Sequence, residues 1–93
     1  GIFVEVLGDA SLRLAPLDVP DAEAMLRELR GWPLLAGARG GVAADIDALV
    51  DTIVRVSQLA ATWPGEWELD LNPVLALPAG QGCRIADALL LAR

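Results

Sequence analysis

The chain opens on an apolar, β-branched run, Ile2-Phe3-Val4-Glu5-Val6-Leu7, interrupted only by Glu5, and this predicts a strand buried on at least one face. Gly8-Asp9-Ala10 reads as a turn. Ser11 to Ala15 then alternates, with Leu12 and Leu14 on one face and Arg13 on the other, which completes a hairpin. The period changes after Asp18, which has the chemistry of an N-cap. Asp21 stands where a capping box needs its second carboxyl group, and Pro20 sits in the first turn. Ala22, Met25, Leu26 and Leu29 follow at i, i+3, i+4 and i+7, one apolar stripe on a helix, with Gly31 expected to stop it. Pro33 to Gly41 is expected to be a loop, dense in glycine around Arg39. A second helix is predicted from about Ala44 to Thr62. Ile46, Leu49, Val50, Ile53, Val56 and Ala60 line one face of it and Asp47, Asp51, Arg55, Gln58 and Thr62 the other; Asp51 and Arg55 form a favourable i,i+4 pair. Trp63-Pro64-Gly65 ends it.

A two-residue period returns at Glu66. Trp67, Leu69 and Leu71 take one face, and Glu66, Glu68, Asp70 and Asn72 the other. After Pro73, Val74 to Leu77 reads as strand, Pro78 to Gln81 as a turn, and Cys83 to Leu90 as the returning strand. The order β-β-α-α-β-β predicts a single domain over residues 1–93. Its fold class is α+β, a two-layer sandwich of two helices on a mainly antiparallel sheet. The oxygen-bearing row from Glu66 to Asn72 has neighbours about 6–7 Å apart, from a strand rise of ~3.3 Å per residue. If the turn is the four residues 78–81, Leu77 pairs with Gly82 and Asn72 faces Asp87. Cross-strand Cβ atoms are then about 4.5–5.5 Å apart, and two or three such oxygens, completed by water and phosphate, suit magnesium. A turn one residue longer puts Asp87 on the opposite face. The same alternation also describes a merely solvated sheet face.

Composition narrows the chemistry. Of 93 residues 55% are hydrophobic, which excludes disorder for want of apolar surface, yet no apolar stretch approaches the ~20 residues of a membrane span. Seven bases, all arginine, against thirteen acids leave a net charge of −6, with no cationic stripe for nucleic acid. There is no histidine, lysine or tyrosine, so imidazole catalysis, phosphohistidine and Schiff-base chemistry are excluded from this chain. Cys83, the single cysteine, makes neither an intrachain disulfide nor a zinc site, and reads as a small hydrophobe in the sheet. Without a secretory leader the expected location is cytoplasmic. The opening directly on a strand suggests a piece of a longer protein, inactive by itself.

Gly1 to Leu7, Leu12 to Leu17, Leu34 to Gly40 and Glu68 to Pro73, in this order and spacing, resemble the C-terminal part of the ATP-grasp domain of NDP-forming acyl-CoA synthetases. That family includes ADP-forming acetyl-CoA synthetases and is related to succinyl-CoA synthetase. The resemblance runs the length of the chain. It implies interconversion of acyl-CoA, phosphate and a nucleoside diphosphate with acid, CoA and the triphosphate, through a phosphohistidine carried elsewhere, with Mg2+ and ATP/ADP as cofactors. It assigns Asn72 and Asp87 to the nucleotide's magnesium, and puts Asp70 in the place of the motif's glutamate, one methylene shorter. Where relatives usually carry an arginine two residues after the aspartate, this chain has Leu89. The implied partners are the nucleotide, the other half of the ATP-grasp domain and CoA-binding domains.

Two further residues are candidate ligands. Arg39, among Gly37, Gly40 and Gly41, is placed to approach a phosphate, or equally to cap the first helix or neutralise nearby acids. Arg13 has a ligand role or pairs with Glu5. Trp32, Trp63 and Trp67 read as core and edge packing, and a surface made for a missing half favours a homo-oligomer of the isolated chain. The alternative to a ligase segment is a non-catalytic docking or structural module that keeps the fold, as in an acetyltransferase fusion. Oxygens at both 72 and 87 favour the ligase, since a module without nucleotide has no need of the pair.

Overall fold

The computed structural model describes residues 11, 16–65, 67–71 and 74–92, with backbone alone at 39, 67–71 and 91–92. The predicted first hairpin, with Arg13, lies outside the described residues. The first described element is α1 (Val19–Arg27), and its start is the predicted capping box: the Asp21 amide donates to Asp18 Oδ1 at 2.9 Å and the Asp18 amide to Asp21 Oδ2 at 3.4 Å. The apolar stripe turns Ala22 and Leu26 inward, both buried.

Two expectations for the next segment are corrected. α1 ends at Arg27 with Glu28 as its C-cap, and Gly31 is not a left-handed stop. It has φ −76 and precedes a second short helix, α2 (Trp32–Leu35), followed by a 3₁₀ turn at Ala38–Gly40. The expected loop from Pro33 is therefore largely helical. Proline is tolerated in a first turn, where its missing N–H leaves no bond unmade. The left-handed glycine is Gly37, with φ 94, where an added Cβ would lie 3.2 Å from Ala43 N and from Gly41 O.

α3 (Ile46–Thr62) follows as predicted in extent but begins two residues late, because Asp45 is its cap and donates no helical turn of its own. Leu49 and Val50 meet Ala22 and Leu26 to form the buried core, with Leu29, Trp32, Leu35, Ile46, Ile53 and Val54 packed around it. The expected pair forms on the outer face, Arg55 Nε to Asp51 Oδ2 at 3.0 Å, exposed on both sides.

Four strands follow among the described residues: β1 (Trp67–Leu71), β2 (Val74–Ala76), β3 (Cys83–Ile85) and β4 (Ala88–Ala92). β1 pairs with β4 and β2 with β3, both antiparallel. The returning strand is thus split at residues 86–87 instead of running unbroken from Cys83. There the Asp87 carboxylate accepts a hydrogen bond from the Ala88 amide, at 2.8 Å. Val74 and Cys83 pack onto the helical core, so the observed α+β architecture has helices on one side of an antiparallel hairpin.

Candidate functional site

Everything the hairpin can present depends on its register. The turn over Pro78–Gln81 is closed by the Leu77 amide donating to Gly82 O at 3.2 Å, the four-residue connection expected from the sequence. Beyond it Ala76 faces Cys83, Leu75 faces Arg84 and Val74 faces Ile85. In the outer ladder Leu71 faces Ala88, Asp70 faces Leu89 and Trp67 faces Ala92. One register, without slip, serves both ladders: each advance along one strand is matched by an equal retreat along the other.

Asp87 sits between β3 and β4, exposed, with Oδ1 accepting the Ala88 amide at 2.8 Å. That bond orients the carboxylate, whose oxygens are the right donor chemistry for a hard cation. Asp70 is on β1 opposite Leu89, and its side chain, like that of Arg39 on the 3₁₀ turn, is outside the described set. Asn72 and Arg13 lie outside the described residues altogether. Among the described residues no three His, Cys, Asp or Glu side chains stand together as a ready metal cluster. A cavity of about 260 Å³ lies among the helices, lined by Glu23, Arg27, Trp32, Ile46, Asp47 and Val50, and includes none of the candidate ligands.

Three polar side chains that sequence reading missed hold this hairpin and the chain's entry segment to α3. Asp45 is the first. Its Oδ1 accepts the Ala48 amide at 3.1 Å, as an N-cap does, while Oδ2 accepts the Gly82 amide at 2.8 Å across the turn. Backbone groups reinforce the junction. The Asp45 amide donates to Leu77 O at 2.8 Å, the Ala79 amide to Ala43 O at 3.0 Å, and Ala44 bridges Pro78. Donation from Gly82 and then Ala48 holds the Asp45 carboxyl below its ordinary value, opposed by desolvation and aided least by Gly80. An aspartate just before the apolar period of Ile46, Leu49 and Val50 is a recognisable cap signal; its second partner, far along the chain, has none.

Thr52 and Cys83 form the second contact, Oγ1 to Sγ at 3.3 Å, and Cys83 packs against the helical core. Buried Ser57 is the third: the Leu17 amide donates to its Oγ at 2.9 Å, and the hydroxyl donates to Val54 O at 2.8 Å. No helix among the described residues is long and apolar enough to cross a membrane.

Residues 1–91 match the model of the ATP-grasp domain family, and the chain belongs to that family. It is 50% identical over 76 residues to the beta subunit of the ADP-forming acetate–CoA ligase I of Pyrococcus furiosus, covering 82% of this chain and 33% of that protein. A crystal structure from Pyrococcus horikoshii superposes with a TM-score of 0.87 at 41% identity, over 100% of this chain and 39% of that one. The dinucleotide-forming acetyl-coenzyme A synthetase 1 of Candidatus Korarchaeum cryptofilum is similar too. Its complex with coenzyme A and Mg-AMPPCP, with the phosphohistidine segment pointing towards the nucleotide site, gives a TM-score of 0.86 at 39% identity over 100% of this chain and 43% of that one. The chain thus spans about a third of the length of that Pyrococcus furiosus relative. The α+β expectation and the resemblance to ADP-forming acyl-CoA synthetases are both borne out.

Proposed function

We propose that this chain is the metal- and nucleotide-holding part of an ADP-forming acyl-CoA synthetase, in which Asn72 and Asp87, with Asp70 alongside, hold the magnesium of ATP or ADP. The observation that carries the reading is the common register of the two ladders: Leu71 faces Ala88 on one side of the gap and Val74 faces Ile85 on the other. The sequence expectation that Asn72 faces Asp87 within one ion's span is consistent with that register, while Asn72 itself lies outside the described residues. Likeness to a synthetase crystallised with Mg-AMPPCP supports the nucleotide role. When bound, magnesium neutralises charge on the phosphates during transfer. The chain's own part is to supply hard oxygens from a rigid hairpin and, through Arg39 and Arg13, cations toward the phosphate oxygens.

The phosphorylated histidine and any phosphate-gripping lysine belong to other parts of the parent, since this chain has neither residue type. The remaining ATP-grasp half and CoA-binding domains are its partners. Leu75, Ile85, Leu89 and Leu90 are large, apolar and exposed on the strands, divided between both faces, and such side chains suit covering by that other half and favour self-association without it. The test is Asp87→Ala in the full-length protein. Magnesium-dependent turnover of acetyl-CoA, ADP and phosphate should fall about 10²-fold or more, the scale on which loss of one charge-stabilising group acts. Turnover with unchanged magnesium dependence refutes the assignment.

A further inference from the structure

Capping a helix requires one oxygen, yet Asp45 uses two. Oδ1 serves Ala48 within α3, and Oδ2 reaches 37 residues along the chain to the Gly82 amide, at the foot of β3. Serine, threonine or asparagine caps as well as aspartate does. Only a carboxylate accepts through both oxygens and presents no donor that would repel the second N–H. The second bond is therefore surplus to helix formation. What it joins is the helical layer and the turn from which β3 runs to Asp87, five residues beyond Gly82. Apolar packing of Val74 and Cys83 also attaches the hairpin to the core, but burial is non-directional and lets a two-stranded ribbon slide or rock. A charge-assisted bond at 2.8 Å, flanked by the Asp45–Leu77 and Ala79–Ala43 backbone bonds, sets direction as well as distance.

We propose that Asp45 is a positioning residue for the metal-binding carboxylate of Asp87: it locks the β2–β3 turn to the amino end of α3 and so fixes where Asp87 is delivered. The inference rests on the magnesium reading above. The turn itself, Pro78 to Gly82, bears no ionisable side chain; the charged or titratable residues nearest in sequence on the elements so joined are Asp47 on α3 and Cys83 and Arg84 on β3.

The test uses the full-length protein carrying Asp45→Asn, which keeps the capping oxygen and loses the second acceptor, with Asp45→Ser as an independent substitution of the same kind. Hydrogen exchange in the peptide spanning the turn should accelerate about tenfold. The half-saturating magnesium concentration should rise roughly tenfold, the low end for residues that orient a metal ligand from behind. Combined with Asp87→Ala, either substitution should change magnesium dependence no further. In the unmodified protein, added magnesium and ADP should slow exchange across the turn, because coupling is reciprocal. A variant that melts earlier but keeps the original magnesium dependence overturns the positioning role, as does a turn whose exchange ignores magnesium and ADP. If Asp87→Ala alters magnesium dependence and the Asp45 variants do not, only the positioning role fails; if Asp87→Ala is itself silent, the metal reading fails and takes the positioning role with it.

Discussion

Ser57→Ala isolates a single buried hydrogen bond between distant parts of the chain. Ser57 is 6% exposed; its Oγ accepts the Leu17 amide at 2.9 Å and donates to Val54 O at 2.8 Å. Losing the acceptor strands the Leu17 N–H, and an unsatisfied buried donor costs about 1–3 kcal/mol. Leu17 is only half-buried, so water recovers part of that and the low end applies. Val54 O loses only a side-chain donor that was extra to its helical role. Alanine also favours a helix interior over serine by about 0.5 kcal/mol. The difference is a net destabilisation of about 0.5 kcal/mol, or a melting point lower by about 2–4 °C for a domain of this size. Thermal melting followed by circular dichroism measures the total. Hydrogen exchange at Leu17 assigns it, since that amide should lose protection before the middle of α3 does. An unchanged melting point together with unchanged Leu17 protection would refute the argument, for it would mean that the entry segment is held to α3 by something other than this hydroxyl.

Two more outcomes follow from the same contacts. Leu26→Ala removes a core side chain that is 7% exposed and should destabilise by about 2–4 kcal/mol, as read from denaturant midpoints at constant m. The Asp45 carboxyl, lowered from 3.8 by its backbone donors, contributes stability that is fully present above that ordinary value and is lost as pH falls through its folded value. Acid titration of the unmodified protein should therefore show a destabilising step below pH 3.8 that is absent from Asp45→Asn.

Elements with a complete local signal were legible in the sequence. The Asp18 and Asp21 capping box, the apolar stripes that pair α1 with α3, and the four-residue turn with its register all came from residues within a few positions of one another. Nearest-neighbour sterics and side-chain period decide such features before any tertiary contact forms. The expected pairing of Asn72 with Asp87 rests on the same kind of local signal, a register set by its turn, but Asn72 lies outside the described residues.

Tertiary structure decided the rest. Gly31 carries the signal of a helix stop, but the chain keeps turning in the right-handed region through it, and Trp32 packs against the core from the short helix that follows. Residues 86–87 read as continuous strand until the Asp87 carboxylate captures the next amide. The contacts that seat the layers join residues 31 to 40 apart: Thr52 to Cys83, Asp45 to Gly82 and Ser57 to Leu17. A serine, threonine or aspartate has the same local preferences whether or not such a partner exists. Which backbone N–H or side chain it meets depends on where the packed helices bring the ends of distant segments, and no window along the chain contains that information.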